Sequence, residues 1–176
     1  YTYPDFPFIN HHFGSGIAIY LIFSIFGFSG LSIIYFLLIL GALIFAILAI
    51  KNNTNLSSIL LTAIFLTPLI AGRTEVRPEG LSYFFVGLFI FILYRYAKDD
   101  LYNQIQSKLI WLLPLILLFW VNSHIYFIFG PFLIGAFLCE ALIRRNIEKA
   151  RKLFLVLGTS VIVTCINPYG IQGVLY

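Results

Sequence analysis

The sequence predicts an all-α protein, a polytopic transmembrane helical bundle of about six to seven hydrophobic helices, some short or broken. Three observations lead there. Hydrophobic residues make up 61% and charged residues 10% of the 176 positions, against about 45–50% and about 25% in soluble domains. Apolar runs recur between short polar breaks, and one bilayer crossing takes about 20 apolar residues. Nine of the 11 Lys and Arg fall in alternate breaks. Such a composition excludes a soluble enzyme, a nucleic-acid binder and a disordered tail. The net charge of +4 then reports orientation in a bilayer rather than affinity for nucleic acid.

The elements follow in order, as one membrane domain over 1–176 that reads as a fragment of a longer chain. Residues 1–15 (YTYPDFPFINHHFGS) are an aromatic, proline-punctuated polar loop. Residues 16–28 are apolar but span only about 20 Å as helix, which is marginal for a crossing. Ser29 and Gly30 interrupt, and 31–50 give a full crossing before a polar loop from Lys51 to Asn55. Residues 56–71 cross next, closed by Pro68 and Gly72, followed by the charged loop RTEVRPEG (73–80). Residues 81–97 cross, and Lys98 to Lys108 is polar. Residues 109–121 form a shorter run with Pro114, broken by Asn122, Ser123 and His124. Residues 125–143 cross again, 144–152 (RRNIEKARK) form a basic loop, and 153–166 are a last short run ending in NPYG (167–170). Cys139 and Cys165 lie inside apolar runs and read as small buried hydrophobes.

Alternating the loops puts Lys51, Arg95, Lys98, Lys108, Arg144, Arg145, Lys149, Arg151 and Lys152 on one side. The positive-inside rule makes that side cytoplasmic in a plasma membrane. Arg73, Glu75, Arg77, Glu79, Asn122, His124, Asn167 and Tyr169 then face outward. Residues 16–28 either cross or lie along the interface. Their shortness, and the lack of any basic residue in 1–15, favour the second, which brings Asp5, His11 and His12 to the outer side as well. The lysine- and arginine-rich rim reads as topology alone.

Chemistry is expected at the outer rim. Arg73, Glu75, Arg77 and Glu79 alternate in sign at every second residue, which in an extended loop points them one way. They form either a self-neutralising loop or a phosphate clamp, since the guanidinium fork matches phosphate oxygens and glutamates orient it. Pro78 is placed to open the next helix, with Glu79 in its first turn. Asn122 and His124 are a satisfied polar pair at a helix break or hydrogen-bonding ligands of a substrate in a cavity between short helices. Adjacent His11 and His12 cannot both face one way, and no HExxH or CxxC spacing supports a metal. No cofactor is expected, and one histidine lining a polar site fits better. Asp5 is either a general base or a turn former after Pro4.

These features together resemble a known family. An aromatic and polar outer loop leads to a short helix with Phe26, Gly27 and Phe28 at its end, then a long crossing. An Arg/Glu loop follows one crossing later, then PEGLSYFF (78–85), WVNSH (120–124) and NPYG. The pattern is similar to the GT-C superfamily of membrane glycosyltransferases, which includes dolichyl-phosphate-mannose–protein mannosyltransferases and uncharacterised bacterial multi-pass relatives. The resemblance implies sugar transfer from a polyprenyl-phosphate donor at the outer face, catalysed by an acidic residue of the first outer loop. Asp5 is the match here, although that residue normally follows a helix lying upstream of Tyr1. His11 and His12 stand where relatives carry His-Pro-Pro, without the prolines. Arg73 and Arg77 match the phosphate-contacting positions. The alternative is a non-enzymatic transporter or lipid-handling protein that binds an anionic solute or headgroup in the same outer cavity.

Overall fold

The computed structural model describes residues 10, 12–50, 55–57, 59, 60, 64, 75–98 and 108–175. Among these, every regular element is helical: α1 (Phe13–Ile50), α2 (Glu79–Lys98), α3 (Leu112–Val121), α4 (Phe129–Ile143), α5 (Ile147–Thr164) and the single turn α6 (Gln172–Leu175). A 3-10 turn, Ile125–Ile128, runs directly into α4. Three stretches are long and apolar enough to cross a bilayer: Phe13–Ile50, Glu79–Lys98 and Ile125–Ile143. That is fewer than the six to seven expected, for three reasons. Most of the 56–71 run lies outside the described residues. α3 has only 10 residues. α5 opens with charged turns, because Asn146 caps it by accepting from the Lys149 N–H at 3.1 Å. The basic stretch expected as a loop is thus partly the start of α5, with Arg145 making the reversal in a left-handed conformation (φ 56°).

α1 counts 38 residues, about 57 Å if straight and nearly twice the hydrocarbon thickness. It is not straight. The break falls at Gly27 (φ 63°, ψ −162°) rather than at Ser29 and Gly30. Only a residue without a Cβ takes that backbone conformation readily.

The half after the kink packs against α2 in parallel. Tyr35 lies on Gly80, Phe84 on Gly41 and Ala42 on Gly87, and the Phe45 ring meets Phe84 and Phe91 at 5.6 and 5.5 Å. Small residues let the two backbones approach, as helix pairs in lipid require. The half before the kink starts elsewhere on the same rim, where the Gly14 N–H donates to Asn122 O at 2.6 Å. Both ends of 13–27 therefore sit near one end of the bundle, as suits a helix lying along that end.

α3, α4 and α5 complete the bundle. Phe89, Leu93, Leu113, Leu117, Trp120, Ile134, Leu153 and Val156 form its core. The outer faces are apolar too: Phe28 is 77% and Ile143 82% exposed. Faces of this kind suit lipid rather than water. Cys139 and Cys165 are free thiols on this exposed surface, not buried ones, so a sequence pattern apolar on all sides misled about which side faces inward.

Candidate functional site

Four chain segments converge at the end of the bundle where α2 begins. α3 stops at Val121 because Asn122 and Ser123 turn back onto it. The Asn122 Nδ2 donates to Leu118 O at 2.8 Å and the Ser123 Oγ to Phe119 O at 2.7 Å. Asn122 Nδ2 also donates to Ile166 O at 3.0 Å, tying the end of α3 to the end of α5. With its carbonyl taken by Gly14, Asn122 joins α1, α3 and α5. The NPYG segment closes the same corner. Its Asn167 donates to Thr164 O and Gly170 O and accepts from the Tyr169 N–H, and Gly170 turns at φ 55°.

His124 lies at the centre. It caps the 3-10 turn, its Nδ1 accepting from the Tyr126 N–H at 3.3 Å. The Ser82 Oγ lies 3.0 Å from the same nitrogen, and Trp120 Nε1 donates to Ser82 Oγ at 2.9 Å. An indole N–H only donates, so the chain of hydrogen-bond donation runs Trp120 to Ser82 to His124. Accepting at Nδ1 leaves the neutral imidazole with its proton on Nε2. His124 is 4% exposed. Burial, and next the charge of His12, hold it below the ordinary histidine range, with Glu79 opposing. The exposed His12 ring stands 5.1 Å from that of His124. Asn10 sets the turn before it by accepting from the His12 N–H.

The charged loop contributes at the rim. Glu79 opens α2 directly after Pro78. Glu75 and Arg77 pair through Arg77 Nε at 2.6 Å, both exposed. Glu75, first through that hydrogen bond and then through its charge, raises the Arg77 guanidinium further above its ordinary value. Asp5, His11 and Arg73 lie outside the described residues.

His12, Glu79, Asn122 and His124 thus come together, and Glu75 with Arg77 stands at the edge of α2. Two members escaped the sequence reading, Ser82 and Trp120. The available signal was that Ser82 is a polar residue inside an apolar helix, three positions after Glu79 and so on the same face. A crevice of about 10 Å³ lies between Asn10, Phe13, Asn122, Asn167 and Tyr169, no more than one water needs. No group of three metal-ligating side chains occurs among the described residues.

The rim at the opposite end differs in character. Lys149 Nζ donates to Ala97 O at 2.8 Å, and Arg144 pairs with Glu140 at 2.8 Å. Among the described residues, the imidazoles gather with Asn122 and Asn167 at one end of the helices, the lysines and most arginines at the other.

Comparisons with family models, curated proteins and solved structures find no match to this chain.

Proposed function

We propose that this chain is membrane-embedded machinery of a GT-C-type glycosyltransferase, moving a sugar from a polyprenyl-phosphate donor at the non-cytoplasmic face. The observation that carries the reading is the convergence of His12, Glu79, Ser82, Asn122 and His124 at one end, opposite the lysine-rich rim. Polar groups at the end of an apolar bundle are costly unless they serve each other or a ligand.

In this reading Arg73 and Arg77 hold the donor phosphate, and Glu75 orients Arg77, to which it is hydrogen-bonded. The acceptor hydroxyl attacks the anomeric carbon. The bond from that carbon to the phosphate oxygen breaks, and the arginines stabilise the departing lipid phosphate. Asp5 takes the hydroxyl proton. His124 lines the sugar with its Nε2 proton, and Asn122 holds three helix ends around it. The parallel pairing of α1 with α2 supports a further crossing between them, and so a bundle of six or seven.

The test is sugar transfer in membranes containing the full-length protein with Arg73→Gln and Arg77→Gln together. Transfer falls by about 100-fold or more if they stabilise the leaving phosphate. Undiminished transfer removes them from the site. Asp5→Asn separates this reading from solute transport: a transferase loses turnover and keeps donor affinity, whereas a transporter keeps both binding and transport.

A further inference from the structure

The first half of α1 is held at its two ends. At the start, the Gly14 N–H donates to Asn122 O and the His12 ring stands against that of His124. Phe13 lines the crevice with Asn122, Asn167 and Tyr169. Ser15 is fully buried, its Oγ donating to His12 O at 3.0 Å. The next buried residue along the chain is Leu31, and none from 16 to 30 is buried. Segments with so few buried contacts open at low free-energy cost.

Between the two anchors lies Gly27, whose backbone (φ 63°, ψ −162°) is open almost to glycine alone. Phe23 and Phe28 clasp the bend, their rings meeting edge to face at 4.8 Å. A helix with one hinge and one short latch turns as a body. The latch closes on the polar end: it sets one imidazole on another and occupies the Asn122 carbonyl. Lifting it takes His12 off His124 and frees that carbonyl in the same movement. We propose that residues 12–26 form a strap that swings about Gly27 to open and close the His124 end to a ligand. The inference rests on the hinge and the latch, whichever ligand enters, and so stands apart from the sugar-transfer reading.

The test is labelling of Ser123→Cys by a membrane-impermeant maleimide in the full-length protein carrying Cys139→Ser and Cys165→Ser. A Cβ at Gly14 would stand 3.4 Å from the Ser123 Oγ, so position 123 lies under the latch. Gly27→Ala disfavours the bent backbone and is expected to speed labelling about tenfold. Phe28→Leu removes the clasp from an exposed site and speeds it severalfold. Gly16→Ala, where a Cβ meets nothing within 4 Å, leaves the rate unchanged. Fraying of the first turn would not sense residue 27, which is about 20 Å away along a helix. Hydrogen exchange at the Leu93 amide, in the core of α2, keeps the parent rate if only the strap moves. The proposal is overturned if Gly27→Ala and Phe28→Leu both label at the parent rate, if Gly16→Ala speeds labelling as much as they do, or if Leu93 exchange rises with labelling in both.

Discussion

Removing one hydroxyl at the start of α2 tests the polar end directly. In Ser82→Ala, Trp120 Nε1 loses its acceptor and His124 loses one of the two groups on Nδ1. Trp120 is fully buried, so water cannot replace the lost partner. Leaving a buried donor unsatisfied costs about 1–3 kcal/mol. Counting instead two hydrogen bonds at about 0.6 kcal/mol each, the mean for membrane helices, gives about 1 kcal/mol. The expected loss is therefore about 1–3 kcal/mol. Trp120→Phe in the Ser82→Ala background removes the orphaned donor, so the double variant loses less than the sum of the single ones. Denaturant unfolding in micelles, followed by indole fluorescence for Ser82→Ala and by circular dichroism for the cycle, measures both quantities. Trp111→Phe isolates the Trp120 signal, since the protein has 2 tryptophans. A loss below about 0.5 kcal/mol, or strictly additive single variants, would refute the network, because residues sharing one couple by about 0.5–3 kcal/mol.

Other expectations follow from the same end of the molecule and from the α1–α2 contact. A Cβ at Gly14 would meet Asn122 O at 2.6 Å, whereas one at Gly16 meets nothing within 4 Å. Gly14→Ala should therefore loosen the start of α1 and speed proteolysis there, while Gly16→Ala leaves the rate equal or slower; equal acceleration in both would contradict the contact. His124 has a folded-state pKa below its unfolded value, held there first by burial. Its contribution to stability is fully present above the unfolded pKa of about 6.5 and is lost as pH falls through the lower folded value. Unfolding midpoints at neutral and acidic pH should differ more for wild type than for His124→Gln, and identical pH slopes would remove His124 as the cause. Gly87→Val places a Cβ 2.7 Å from Ala42 O and should separate α1 from α2. A cysteine pair at Tyr35 and Gly80, cross-linked in wild type at position 87, would then lose its yield; an unchanged yield would mean that the helices pair differently.

Much of this architecture is one-dimensional information. Apolar runs fix where helices form, and Pro78 with Glu79 fixes where α2 opens. The alternation of Lys and Arg sorts the two rims, and the structure keeps His124 and Glu79 together, away from Lys149 and Arg144. Bilayer insertion reads local hydropathy and charge, so a linear scan can read them too. Partner choice was not legible in that way. Nearly every side chain in these runs is apolar, so no stripe marks an inward face. The outward cysteines and the glycine contacts of α2 were invisible for that reason.

The sequence by itself determined the helical class, the breaks at Asn122–His124 and NPYG, and the gathering of polar groups at one end. Tertiary structure alone decided that the chain bends at Gly27, that α1 and α2 run parallel, and that Ser82 stands between Trp120 and His124. Ser82 and His124 are 42 residues apart in the chain, and their contact follows from how three helices pack. Packing depends on the shapes of side chains meeting across space, which hydropathy along the chain does not encode.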